Sequence, residues 1–170
     1  ELYYNADHGK ETRAPRGKRD IMTDTHHEHG GEQQLLHFRL EKMRRFRERG
    51  DEPFKYIFDR SGVIAEARAA YEAAEAGAED PASIALPVRL AGRLVAFRDQ
   101  GKVSFADIRD ESGRIQLFIR KDDIGEAAYE NLRDLDLGDF IGASGNVFRT
   151  KRGEISVKTE NWTILTKSLR

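Results

Sequence analysis

From Gln33 to Arg49 the apolar residues recur at helical spacing. Leu36, Leu40 and Met43 stand at i, i+4 and i+7, one stripe along a helix. Gly50 follows the last periodic residue, where a helix C-terminus favours glycine. Pro53, Phe54, Tyr56 and Phe58 then form an aromatic extended segment, suited to anchoring the chain on a neighbouring surface. A second stripe, Ile64, Ala67, Tyr71 and Ala74, predicts an acidic helix over 64–76 that closes at Gly77. From residue 84 the period drops to two. Turn signals at Asp99-Gln100-Gly101, Glu111-Ser112-Gly113 and Lys151-Arg152-Gly153 separate strands expected over 85–98, 102–110, 114–121, 139–149 and 154–166. One helical pattern interrupts them: Ala127, Ala128, Leu132 and Leu135, closed by Gly138.

Three strands, a helix and two more strands is the plan of a five-stranded OB-fold barrel. The expected class is therefore mainly β with helices: a barrel over 84–170, with a helix between strands 3 and 4, preceded by a helical extension over 32–83. Residues 1–31 show neither period and carry Gly9, Pro15, Gly17, Gly30 and Gly31 among mixed charges, the composition of a disordered tail. His26, His27 and His29 fall in that tail. Imidazoles are common metal ligands, but a mobile tail lacks the outer groups that orient them, so no metal site is assigned.

Composition narrows the functions. The chain has 170 residues with 29 Lys+Arg against 30 Asp+Glu, a net charge of -1. That excludes a globally basic nucleic-acid binder and leaves a local basic surface open. The helix over 33–50 is such a place: six Lys/Arg against two Asp/Glu make it about +4 locally. Its arginines, Arg44 and Arg45 among them, fit either a solvated face that complements the helix dipole or an RNA backbone contact. Cysteine is absent, which excludes disulfides, Cys-zinc sites and thiol nucleophiles. Charged residues make up 35% and mean hydropathy is -0.70. With no run of 18 apolar residues and no apolar leader segment, the expectation is a cytoplasmic protein with no membrane partner.

Strand parity sorts core from surface. In the third strand Ile115, Leu117 and Ile119 form the core set, which turns Arg114, Gln116, Phe118 and Arg120 outward. In the second, Ser104, Ala106 and Ile108 face in, and Val103, Phe105, Asp107 and Arg109 face out. In the fifth, Ile155, Val157 and Thr159 face in, and Glu154, Ser156 and Lys158 face out. The outward set thus combines an aromatic, an amide, a carboxylate and several cations. A single-stranded base needs a flat π surface and fixed donors and acceptors for its Watson–Crick edge. Phe105 offers the first. Gln116, Arg98 and Glu154 offer the second, matched to the two carbonyls and one N–H of uracil. Taken singly, Phe105 also reads as barrel packing and Gln116 as a solvated strand position.

Residues 91–119, Ala-Gly-Arg-Leu-Val-Ala-Phe-Arg-Asp-Gln-Gly-Lys-Val-Ser-Phe-Ala-Asp-Ile-Arg-Asp-Glu-Ser-Gly-Arg-Ile-Gln-Leu-Phe-Ile, resemble the anticodon-binding OB domain of class IIb aminoacyl-tRNA synthetases, and most of all the bacterial-type lysyl branch. Four segments extend the resemblance across about 33–170: Arg39 to Phe54, Asp136 to Gly142, Phe148 to Val157 and Leu165 to Arg170. It implies that Phe105 stacks on the central anticodon base, that Gln116 and Arg98 read its edge, and that Glu154 lies by the wobble base. Basic residues on the helix and turns (Arg44, Arg45, Lys102, Arg149, Lys151) are candidate phosphate contacts. The implied partner is the anticodon loop of tRNA-Lys, and the implied full-length enzyme is a homodimer that uses ATP and Mg2+. The family's glycine-rich GxGxGxxR motif does not occur here, and Phe38-Arg39-Leu40-Glu41 matches an FRxE motif only by chance on a helix. No catalytic residue and no cofactor is therefore assigned to this chain, which is expected to be inactive alone. Asp99-Gln100 departs from the family's usual basic or apolar pair. Two other readings stand beside this one: a stand-alone single-strand binding or assembly module, and the equivalent domain of an aspartyl or asparaginyl enzyme.

Overall fold

The computed structural model describes the backbone of residues 25–169 and the side chains of residues 31–169. Five strands close into a barrel: β1 (Pro87–Asp99), β2 (Val103–Arg109), β3 (Arg114–Arg120), β4 (Phe140–Arg149) and β5 (Ile155–Thr166). The order around it is β1-β2-β3-β5-β4, with every pair antiparallel except β3–β5. The five-stranded plan is as the sequence predicts, and the inward sets of β2, β3 and β5 are all buried: Ser104, Ala106 and Ile108; Ile115, Leu117 and Ile119; Ile155, Val157 and Thr159.

β1 breaks the alternation. Its register against β2 slips between Leu94 and Ala96, so Val95 is an extra residue on the outside of a β-bulge. Before the bulge Arg93 is exposed; after it Phe97 turns to the core and Arg98 is exposed. Uninterrupted alternation from Arg93 would send Arg98 inward.

The predicted helix between β3 and β4 is broken into α3 (Lys121–Ile124), α4 (Glu126–Glu130) and a 3-10 turn over Asn131–Asp134. Gly125 separates the two helices. Tyr129, Leu132 and Leu135 of this segment are buried against the barrel.

Before the barrel come α1 (Thr25–Glu48) and α2 (Ile64–Ala76). α1 starts earlier than the period indicates, so 25–31 of the expected tail is helical backbone. Residues 1–24 and the side chains of His26, His27 and His29 lie outside the described residues. Gly50 ends the helix at φ +81, as expected. The predicted stripe is not its anchor: Leu36 is exposed, and Leu40 and Met43 are half-buried. The buried residue is Phe46, one turn later, edge-on to Trp162 at 6.3 Å.

Charge completes the docking of α1. Arg45 and Arg49 each lie 2.7 Å from Asp134, and Lys42 lies 2.5 Å from Asp136. Fully enclosed Lys167 donates to Asp136 at 2.5 Å, to Asp139 at 2.7 Å and to the Asp134 carbonyl at 2.9 Å. Arg39, of the chance FRxE match, donates to the carbonyls of Ser168 and Leu137. Burial pushes the Asp134 and Asp136 carboxyls up, but the guanidiniums of Arg45 and Arg49 and the ammoniums of Lys167 and Lys42 outweigh it. Both end below the usual carboxylate range.

The extended segment after α1 is laced to β5: Lys55 N–H donates to Leu165 O at 2.8 Å and Lys167 N–H to Pro53 O at 3.0 Å. Phe54 and Phe58 are half-buried, whereas Tyr56 points wholly into solvent. α2 buries Ile64, Ala67 and Tyr71, and the Asp110 carboxylate in the β2–β3 turn accepts from the Ile64 N–H at 2.9 Å. Among the described residues no helix is long and apolar enough to cross a membrane.

Candidate nucleic-acid interface

Cross-strand register assembles the site. Arg98 on β1 stands opposite Phe105 on β2, and Phe105 opposite Phe118 on β3. One step along, Asp107 faces Gln116, Gln116 faces Ser156 on β5, and Ser156 faces Phe148 on β4. From these two rows Arg98, Phe105, Phe118, Gln116 and Phe148 line a groove of about 590 Å³. Its walls are the β1–β2 turn, through Gln100, and the β4–β5 turn, through Thr150, Lys151, Arg152 and Glu154. All four residues singled out from the sequence, Arg98, Phe105, Gln116 and Glu154, line this one groove.

The aromatic element is larger than one ring. Phe105 and Phe118 have centroids 5.4 Å apart, and Phe118 and Phe148 5.8 Å, both pairs tilted. The Arg98 guanidinium sits 5.8 Å from the Phe105 ring centre, near enough for a cation–π contact. All three rings are only half-buried, so each keeps surface to offer. Parity places Phe118 beside Gln116, and the sequence alone therefore held the signal for it. Nothing in the sequence singled out Phe148, because its approach depends on β5 lying between β3 and β4.

Gln116 is outward in register yet only 6% exposed, since its neighbours cover it. Ser156 Oγ donates to its Oε1 at 3.3 Å, and among the described residues its amide nitrogen has no hydrogen-bond partner. Asp107, directly opposite, is 7% exposed, and its Oδ1 is buried without a hydrogen-bond partner. The buried open acceptor of Asp107 is costly in a folded protein, and a polar ligand that also takes the Gln116 amide nitrogen could complete it.

The turn that carries Gln100 and Lys102 is braced by Asp99. Its Oδ1 accepts from Gly101 N–H at 2.9 Å, from Tyr129 OH at 3.0 Å and from Ser104 Oγ at 3.2 Å. The Gly101 N–H foremost, then the two hydroxyls, hold the Asp99 carboxyl below its ordinary range. The residue that departs from the family pattern is thus a turn brace.

The candidate phosphate contacts divide. Arg44, Lys102 and Lys151 are exposed. Arg45 is held by Asp134. Arg149 is clamped by Glu75 of α2 through two contacts of 2.7 and 2.5 Å and donates to Gly153 O. The Arg149 guanidinium holds the Glu75 carboxyl below its usual range. Among the described residues no cluster of His, Cys, Asp or Glu is arranged to hold a metal ion.

Residues 88–165 match the family described as OB-fold nucleic acid binding domain. The chain is 42% identical over 149 residues to a lysine–tRNA ligase of Streptococcus suis, covering 88% of this chain and 29% of that protein. It is 45% identical over 139 residues to that of Moorella thermoacetica (82% and 27%) and 44% over 131 residues to that of Dehalococcoides mccartyi (77% and 26%). The chain spans under a third of the length of these curated relatives.

Proposed function

Residues 88–165 belong to the OB-fold nucleic acid binding family and the chain matches the anticodon-binding region of lysine–tRNA ligases, and on that premise we propose that its groove receives the anticodon loop of tRNA-Lys. The observation that carries the reading is the convergence of Arg98, Phe105, Gln116 and Glu154 on one groove floored by three phenylalanines. In this reading the central base of the loop stacks on Phe105. The free amide N–H of Gln116 and the guanidinium of Arg98 donate to its carbonyls. Glu154, at the mouth of the β4–β5 turn, meets the wobble base. Lys102, Lys151 and Arg44 are the open phosphate contacts, and Arg149 joins them only by leaving Glu75.

Binding of this kind serves aminoacylation in a longer, homodimeric, cytoplasmic ligase. In this reading ATP and Mg2+ belong to the longer enzyme; the FRxE match lies on helix α1, where Arg39 is turned to the carbonyls of Ser168 and Leu137. The role of the chain is to select the tRNA.

The test measures affinity for anticodon stem-loops carrying each of the four bases at the central position, for the parent chain and for Gln116→Ala. The parent is expected to prefer uridine. The variant loses affinity for uridine and narrows its advantage over cytidine, because the unmatched base leaves polar groups unpaired at about 1–3 kcal/mol each. Equal affinity of the parent for all four stem-loops sinks the reading in favour of an unselective single-strand binder. A preference set instead by the third anticodon base favours an aspartyl or asparaginyl specificity.

A further inference from the structure

A row of three arginines crosses the outer face of the barrel beyond the groove. Arg93 on β1 is the direct partner of Arg109 on β2, and Arg109 of Arg114 on β3. All three are exposed. Like charges placed directly opposite one another on a sheet destabilise it. The fold nevertheless presses them together: Gly92 brings β1 so close that a Cβ there would lie 2.9 Å from the Arg109 carbonyl oxygen.

The neighbouring carboxylates do not neutralise the row. Asp110 is engaged by the N–H groups of Ile64, Ser112 and Gly113. Glu111 lies 3.4 Å from Arg60. Asp107 reaches Arg114 only at 3.8 Å. Among the described residues Arg93 and Arg109 form no ion pair, in a chain whose net charge is -1. Such a row is satisfied by an extended polyanion from outside, since each guanidinium can fork onto a phosphate.

The row lies on the same outer face of the same three strands as the groove. Arg109 is four residues along β2 from Phe105, about 13 Å at strand spacing. Arg114 is two residues along β3 from Gln116, about 7 Å. A nucleic acid seated in the groove therefore continues over the arginines within a few nucleotides.

We infer that Arg93, Arg109 and Arg114 form a second RNA contact, a backbone rail that takes the phosphates of the duplex stem flanking the loop held in the groove. This rests on the proposed anticodon-loop reading and extends it from bases to backbone. The rail adds affinity and orientation without base selection, because phosphates carry no sequence.

The test uses the full chain and two RNA probes: an anticodon hairpin with its duplex stem, and the single-stranded loop sequence alone. Arg93→Gln/Arg109→Gln is compared with the parent, after circular dichroism shows both folded. The variant is expected to bind the hairpin about tenfold more weakly, with the slope of log K against log salt shallower by about 0.9 per arginine. Its affinity for the stemless loop stays within twofold, and Arg93→Lys/Arg109→Lys recovers most of the hairpin affinity. Equal losses on the two probes, or none on the hairpin, overturn the rail. The second result gives the row instead to a protein partner, for which exposed Phe140 and Val95 beside it supply apolar area. A parent chain that binds neither probe overturns both readings; one that binds the loop and the hairpin alike overturns the rail alone.

Discussion

The seam between α1 and the barrel and the outer face of β1–β2–β3 are built from the same residue types and use them in opposite ways. At the seam four cations (Lys42, Arg45, Arg49 and Lys167) meet the carboxylates of Asp134, Asp136 and Asp139, and each finds a partner. On the outer face Arg93, Arg98 and Arg109 form no ion pair among the described residues, and the amide of Gln116 and the carboxylate of Asp107 are left incomplete. A satisfied ionic group holds structure together; an unsatisfied one is available to a ligand. Net charge, which sums the whole chain to -1, hides the distinction.

The largest effect is expected at the seam. Lys167→Met keeps the volume but leaves fully enclosed Asp139 without its cation, at about 3–5 kcal/mol of unfolding free energy in urea. Hairpin affinity of the folded variant should stay within twofold of the parent. A large loss of binding at full stability would show that the two regions are one unit.

Acid attacks the same region next. Asp134 and Asp136 have folded values below their unfolded values, so their stabilisation is complete above about pH 4 and disappears as pH falls through the folded values. Trp162, the sole tryptophan, touches Phe46 of α1 and reports the detachment by fluorescence. The emission should hold steady between about pH 5 and 8 and change only below about pH 4. A transition near neutrality would contradict the sign.

Phe105→Ala reverses the pattern. Every base has a π face, so all central bases should lose about 1–3 kcal/mol of binding. Unfolding free energy should change by less, because the ring is only half-buried. Unfolding of the variant would make Phe105 part of the core.

The smallest effect tests the border between the two uses. Glu75→Gln removes an exposed ion pair, so stability should hardly change. It releases Arg149, which lies between the groove-lining Phe148 and Thr150, so RNA affinity should rise a few-fold and the salt slope steepen. No change in either would make the Glu75 clamp irrelevant to binding.

Much of this was legible in the residues. Turn signals bounded the five strands to within about two positions, and period-two alternation placed Phe105 and Gln116 on one face. Phe118 was equally visible by parity. What stayed hidden depends on contacts between distant segments. Nothing near Arg45 announces Asp134, nor near Arg149 announces Glu75, and so two candidate phosphate contacts turned out to be clamped. The α1 stripe pointed to Leu36, but tertiary packing chose Phe46, because the barrel meets only the last turns of that helix. The slip at Val95 has no signature in residue type, and on it the outward direction of Arg98 depends.

That slip also decides which changes of length the strand can absorb. Val95 is exposed at 39% and fills no cavity, so many side chains should serve there. It is also the residue that the pairing with β2 skips, since Leu94 faces Ile108 and Ala96 faces Asp107. Losing it leaves Phe97 inward and Arg98 outward in the register that they already hold, and removes only the local bend. A residue added between Phe97 and Arg98 is the harmful change, because side chains alternate with a period of two and Arg98 would turn into the barrel. Drift and deletion at Val95 are cheap, whereas a single-codon insertion beside Arg98 would dismantle one wall of the groove.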